Sequence, residues 1–421
     1  MKDDAEAAGG RMNARGPAAA AVAFDGRRGE LAALLLRNLL LTLATLGIYR
    51  FWAKTRVRGF VWRHVKLLGE PLEYLGSGTE LLVGFLVVLV ILAPLTSAYS
   101  LLPLLLPEGI PYQGLALQVL YYTLLGFLVQ VAVYRVRRYR LTRTAWRGVR
   151  FGLDGSSLVY ASIWFLYGAV TLATLGLAYP WLRVATTRYF ARHARFGSTA
   201  FSFDAGAGRL FPLWLVVITP ALVAGILFVT LNREAFELVG AAWSDYLGKL
   251  DREALGEVWR SLAQVDYRAG WLLALSLVLL TWYRVNQFRY LLSAVRVGEV
   301  RLDSRLTTRT VYVLQAVFYV CIVGALVLLW VMGVGTATMV VRRTGWTDAT
   351  SILIIFGGLT GLVYFLYGFA RKLFLEVPLL KLACTTLLLE RPEALERTAQ
   401  STAALPGHGE GLADALDVGG F

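Results

Sequence analysis

Thr42-Leu-Ala-Thr-Leu-Gly47 ends an apolar run and turns at once into a basic, aromatic stretch carrying Trp52, Lys54, Arg56, Arg63 and Lys66. The same hexamer returns without a gap at Thr171-Leu-Ala-Thr-Leu-Gly176, and the same register carries Trp52 onto Trp181 and Arg63-His64 onto Arg192-His193. Lys54, Phe60 and Lys66 match Arg183, Tyr189 and Arg195 in character. A shorter echo runs from Trp282 and Arg284 through Arg289-Tyr290 to Arg296-Val-Gly298, in line with Trp181, Arg183, Arg188-Tyr189, Arg195 and Gly197. Self-similarity of this kind takes precedence in reading a fold. It predicts one unit, an apolar segment followed by a basic helix, present at 42–69, 171–198 and 282–298.

Composition sets the class around that unit. Of 421 residues, 57% are hydrophobic and 17% charged, and the mean hydropathy is +0.59. This balance, with several apolar runs near bilayer length, reads as an all-α polytopic membrane protein. The formal charge of +14 is concentrated beside the apolar runs, which points to anionic lipid headgroups and away from nucleic acid. Cys321 and Cys384 offer neither a disulfide framework nor metal-ligand spacing.

In chain order, residues 1–22 read as a disordered leader, 23–390 as the integral membrane domain and 391–421 as a flexible tail. Full spans are expected near 81–102, 115–134, 210–231, 270–290, 311–334 and 351–370. Two further apolar elements are interrupted. Residues 31–49 carry Arg37 and Asn38, costly in hydrocarbon, and residues 157–179 are broken by Gly168, Gly176 and Pro180. If both elements dip in and return, the basic blocks at 50–66, 135–150, 183–209 and 284–309 all become cytoplasmic, as the positive-inside rule favours. The expected architecture is therefore about six transmembrane helices plus two re-entrant or interfacial elements, broken at Gly47, Gly176 and Pro180, with both termini cytoplasmic. Residues 232–266, with four basic against seven acidic residues, become an external amphipathic loop. Short hairpins are expected at 67–74, 196–204 and 297–303. Val57, Val61, Val65 and Leu68 fall on one helical face opposite Arg56, Arg63 and Lys66, so this helix is expected to lie on the membrane with Trp52 and Trp62 as anchors.

The run Phe24-Asp-Gly26-Arg-Arg-Gly29-Glu30, followed by Asn38-Leu-Leu-Leu-Thr-Leu-Ala-Thr-Leu-Gly-Ile-Tyr49 with Trp52, Lys54, Arg56 and Arg58, resembles the opening of the YjgN-like bacterial inner-membrane family, a family of unknown function. Residues Gly409-Glu-Gly-Leu-Ala-Asp-Ala-Leu-Asp417 are similar to that family's end. The resemblance covers nearly the whole chain from Phe24 and implies an integral inner-membrane protein, without an activity to carry over.

The residues themselves point away from enzymatic chemistry. No nucleophile elbow, phosphate-cradling loop or credible pair of carboxylates is visible, and no cofactor is implied. His64 and His193 are flanked by cations and lack further ligands at metal spacing. The expected function is non-enzymatic: binding of anionic lipid or a membrane partner through Trp52, Lys54, Arg56, Arg63, Trp181, Arg183, Arg188, Arg192, Trp282, Arg284 and Arg289, since guanidinium suits phosphate and indole suits the interface. The alternative is a small-solute transporter or channel, with Gln130, Asn286 and Gln315 lining its pathway.

Overall fold

The computed structural model describes residues 20–105, 113–249, 252–344, 363 and 366–399. The predicted leader (apart from its last residues), the span at 351–370 (apart from its last residues) and the tail from residue 400, with Glu410, Asp414 and Asp417, lie outside the described residues. Two compact units are present, Met1–Phe165 with Thr186–Asp204 and Arg289–Phe421, and Leu166–Ala185 with Ala205–Phe288.

Among the described residues every strand belongs to the first unit. In chain order they are β1 (Ala20–Ala21), β2 (Ala23–Phe24), β3 (Val65–Leu67), β4 (Glu70–Pro71), β5 (Glu73–Tyr74), β6 (Thr144–Trp146), β7 (Val149–Leu153), β8 (Ala194–Phe196), β9 (Thr199–Phe203), β10 (Val295–Val297), β11 (Val300–Ser304) and β12 (Leu387–Glu390). Four hairpins have two-residue turns: Leu68-Gly69, Arg147-Gly148, Gly197-Ser198 and Gly298-Glu299. In the first two, both turn residues have positive φ; in the others only the glycine does. These are the mirror-image turns whose twist matches that of paired strands.

The pairings run β1-β12-β11-β10-β9-β8-β7-β6-β5 in one sheet and β2-β3-β4 in another. Only Val22 separates β1 from β2, and only Leu72 separates β4 from β5. The two sheets therefore meet end to end, and the antiparallel ladder returns to its start. A closed circuit leaves no free edge. One apolar core gathers side chains from around it: Phe24, Trp146, Phe196, Val297, Val300 and Leu389 are buried, with Leu67, Phe151, Phe201 and Leu302 packed against them. Trp146 is fully enclosed, and its indole N–H donates to the Leu67 carbonyl at 3.2 Å.

Helices leave this ring and come back to it. The outgoing and returning members are α1 (Arg28–Ala44) with α2 (Arg50–His64), α3 (Gly78–Leu105) with α4 (Gln113–Thr142), and α5 (Ser157–Ala173) with α6 (Tyr179–His193). Next come α7 (Phe211–Leu231), α8 (Arg233–Lys249), α9 (Arg252–Leu262) and α10 (Gly270–Ser293). The last excursion leaves by α11 (Thr308–Thr344) and returns through a π-helical turn, Lys372–Glu376, and α12 (Val377–Thr386). One backbone bond closes each excursion at its base. The first residue beyond the outgoing strand donates to the carbonyl at the end of the return helix: Asp25 to His64 (3.1 Å), Leu75 to Arg143 (2.8 Å), Asp154 to His193 (2.8 Å), Asp204 to Ala294 (3.0 Å) and Arg305 to Thr386 (2.9 Å). Three bases also carry an ion pair: Lys66 with Asp25 at 2.7 Å, Arg143 with Glu80 at 2.8 Å and Arg195 with Asp154 at 2.9 Å.

This is a helical membrane protein. Among the described residues, four helical stretches are long and apolar enough to cross a bilayer: Gly78–Leu102, Gly114–Thr142, Phe211–Leu231 and Thr308–Leu328. Helix α10 exists over the expected stretch but is less apolar, because Trp282 to Gln287 brings polar groups into it. The two interrupted elements form helices of 17 residues each, about 25 Å long and short of the roughly 20 residues a span requires. All-α is too narrow a description. The expected local hairpins join the hairpin at Thr144 to Leu153, and the pairing of β12 with β1 and β11, in the two sheets of the ring. The apolar face of α2 also differs from expectation: Val57 and Val61 are buried in the ring's core, and the Trp62 indole donates to Thr144 Oγ1 at 2.8 Å. Amphipathic spacing shows that a face is buried without naming what covers it.

The base ion pairs give a pH dependence. The Lys66 ammonium hydrogen-bonded to Asp25 holds that carboxyl below its ordinary value. Its stabilisation is complete at neutral pH and is lost as pH falls through the folded-state pKa. The melting temperature of wild type should exceed that of Asp25→Asn by a constant margin down to about pH 5, and the margin should close below about pH 4, the ordinary aspartate range. Thermal melts in detergent across that range check this.

Candidate functional site: two helical hairpins with apolar tips

The repeated hexamers form the tips of α1–α2 and α5–α6, and the two tips share one backbone geometry. Leu46 and Gly47 have φ of 50° and 93°; Leu175 and Gly176 have 51° and 93°. Gly47 N–H donates to the Thr42 carbonyl and Gly176 N–H to the Thr171 carbonyl, both at 2.7 Å. Thr45 Oγ1 accepts from Tyr49 N–H at 2.9 Å, and Thr174 Oγ1 accepts from Ala178 N–H at 3.1 Å. Thr45, Leu46 and Ile48 bond their N–H groups to carbonyls within the turn, as do Thr174, Leu175 and Leu177. Pro180 has no N–H to satisfy. Each hexamer is thus a turn whose backbone N–H groups find their acceptors locally.

A turn with paired N–H groups suits a medium without water, where each unpaired backbone group costs several kcal/mol. The side chains agree with that setting. Leu46 is 96% exposed, Leu172 80% and Leu175 71%, with Leu40, Leu43 and Ile48 also exposed. Both tips are thus apolar, in a chain that also carries membrane-length helices.

Contacts with the following helix fix how far the tips reach. In the first hairpin Trp52 packs against Gly78, the first residue of α3, and the Arg50 guanidinium lies 5.0 Å from the ring centroid of Phe85. In the second hairpin Trp181 packs on Phe211, the first residue of α7, with ring centroids 5.0 Å apart. There Gly176 faces Ile218, and its carbonyl accepts from the Trp214 indole at 2.8 Å. Phe85 and Ile218 each lie seven residues into their helices, about 10 Å along the axis. Both tips therefore lie beside the first two turns of a span.

The other residues singled out in the sequence fall into several settings. Arg56, Arg63, Arg192, Arg284 and Arg289 are exposed, and Arg56 lies 5.3 Å from the Tyr49 ring. Lys54, Arg183 and Arg188 are half-buried and engaged with neighbouring groups. Trp282 packs on the cluster of Trp214, Val217 and Tyr283. Gln130 and Gln315 are half-buried, and the Asn286 amide donates to the Trp282 carbonyl of its own helix at 2.9 Å. His64 Nδ1 lies 2.7 Å from the Phe60 carbonyl and His193 Nδ1 2.8 Å from that of Tyr189. No group of three or more His, Cys, Asp or Glu side chains with metal-site geometry occurs among the described residues.

Sequence reasoning missed the Glu80 network. Glu80 accepts from both Arg143 Nη2 (2.8 Å) and Nε (3.2 Å), and from Tyr139 Oη at 2.7 Å, which ties α3 to α4 at the ring. Ser77-Gly-Thr-Glu80 is a helix-start signature that could have marked it; Ser77 Oγ accepts from Glu80 N–H at 3.2 Å.

Ring, spans and apolar-tipped hairpins define an integral membrane protein built on helices. The chain belongs to the family described as bacterial protein of unknown function (DUF898), whose model matches residues 19–415. It is similar to the inner membrane protein YjgN of Salmonella typhimurium, with 27% identity over 157 residues. That match covers 37% of this chain and 36% of the relative, so it spans little more than a third of either. No solved structure matches.

The tips yield a direct test. Gly47→Ala and Gly176→Ala force a Cβ onto left-handed backbone, and at Gly176 the new atom would also lie 3.2 Å from Ile218. Each should lower stability by about 1–2 kcal/mol. Thr45→Val removes the acceptor for Tyr49 N–H and should cost about 1–3 kcal/mol in an apolar setting. Unfolding in lipid nanodiscs measures both.

Proposed function

We propose that this is a bacterial inner-membrane protein without enzymatic activity, whose strand ring faces the cytoplasm and whose return helices bind anionic lipid around it. The observation that carries the reading is the location of the charge. Return helices enter the ring through basic segments, and Arg56, Arg63, Arg135, Arg192, Arg284 and Arg289 are exposed on them. Positive charge beside membrane helices marks the cytoplasmic side, and both β1 and β12 belong to the ring, so both ends of the membrane domain share that side. The name of the Salmonella relative supports the inner membrane.

On this reading the hexamer tips rest in the acyl region of the cytoplasmic leaflet and the exposed guanidiniums reach its phosphates. The copied hexamer and its shared turn geometry support a duplicated unit. Arginine suits this role because its planar fork meets two phosphate oxygens at once.

The test is lipid retention. The protein with Arg56, Arg63, Arg192, Arg284 and Arg289 changed to glutamine is purified from membranes containing phosphatidylglycerol and phosphatidylethanolamine. Its share of co-purified phosphatidylglycerol should fall several-fold relative to wild type, with phosphatidylethanolamine unchanged. An unaltered lipid ratio removes the proposal.

A further inference from the structure

The strand ring has two unlike ends. Helices attach at one end; the other carries the turns Leu68-Gly69, Arg147-Gly148, Gly197-Ser198 and Gly298-Glu299. Beyond β12 the chain runs on through a single helical turn, α13 (Glu393–Glu396), to Ala399. This segment crosses the turn end. Leu395 is buried in the ring's core with Ala394 against it, and Pro392 is buried beside them. Ser198 N–H donates to the Ala399 carbonyl at 3.1 Å, and the Thr199 and Thr398 hydroxyls lie 3.2 Å apart. The fit is close at Gly197, where any Cβ would collide with the Ala399 carbonyl and Val149.

Arg147 is the point of attachment. Set on left-handed backbone at a turn (φ 50°), it reaches Glu70 of the neighbouring hairpin with one terminal nitrogen and Glu396 with the other, both at 3.0 Å. The hold is of a different kind from that of β12. Strand β12 pairs on both sides, with β1 and β11, whereas residues 392–399 rely on the buried Pro392 and Leu395, a few hydrogen bonds and an exposed ion pair. Exposed ion pairs hold weakly, and segments with few buried contacts open first.

We propose that the turn end of the ring is a docking seat for an apolar-acidic segment, and that residues 392–399 occupy it in cis as a releasable latch. The seat supplies an apolar socket for Leu395 and a guanidinium for Glu396. Opening the latch uncovers the end of the core while the ladder stays closed.

Hydrogen exchange on the full-length protein in nanodiscs tests this. In wild type, residues 392–399 should exchange at least tenfold faster than 387–390. Arg147→Gln, a change outside the core, should accelerate 392–399 a further several-fold and leave 387–390 unchanged. Leu395→Ser vacates the socket, and that protein should bind a fluorescent peptide of residues 391–399 that wild type binds poorly. Exchange of 387–390 and 392–399 in step, in wild type and Arg147→Gln alike, would show a fixed part of the core and overturn the latch. Failure of the peptide to bind Leu395→Ser would overturn the seat.

Discussion

One backbone hydrogen bond, formed at the foot of every helical excursion, organises the molecule. It joins the residue leaving the ring to the last carbonyl coming back, from Asp25 and His64 to Arg305 and Thr386. An excursion closed this way begins and ends at the same level, whatever its length. Short excursions such as α1–α2 must then turn back within a few helical turns, and a turn set in hydrocarbon would not tolerate unpaired backbone donors. The Thr-Leu-Ala-Thr-Leu-Gly hexamer meets that demand. Its threonine hydroxyl and its left-handed Leu-Gly pair leave an apolar tip whose backbone N–H groups are already used.

Closure of the ladder has a further consequence for stability. Segments of two to five residues make poor strands on their own, and an open edge would invite pairing with other chains. Joined in a circuit around Trp146, Phe196 and Leu389, they share one core. The final strand reaches back to β1, so the circuit is complete only when both ends of the membrane domain are present. Basic residues divide between two tasks. Lys66, Arg143 and Arg195 are spent inside the fold, on Asp25, Glu80 and Asp154, whereas Arg56, Arg192 and Arg284 remain turned outward.

The elements legible in the sequence were those with strong local signals. Among the described residues the membrane-length apolar runs appear as helices, the hexamers fall at breaks between helices, and the hairpins near 67, 196 and 297 carry recognisable glycine turns. The ring was not legible, because nothing local in Thr144-Ala-Trp146 or Leu387-Leu-Leu389 says which distant strand it meets. Strand β12 joins β1 across almost the whole chain, a pairing that no periodicity encodes. The face of α2 was legible and its partner was not: valines at helical spacing pack equally well on lipid or on protein. Among the candidate site residues, exposure separated Arg56 and Arg192 from the half-buried Arg183 and Arg188, a distinction that spacing alone does not make.

A single shared face for all excursions is the central claim, and side-specific thiol labelling tests it most directly. Single cysteines at Glu73, Ser202 and Glu299, in a chain with Cys321 and Cys384 replaced, would be challenged with an impermeant maleimide in intact cells and in inverted vesicles. On the proposed orientation, positions 73, 202 and 299 should all react only from the cytoplasmic side. Reaction of 202 and 299 from opposite sides would contradict the account, since β9 and β10 could not then belong to one ring.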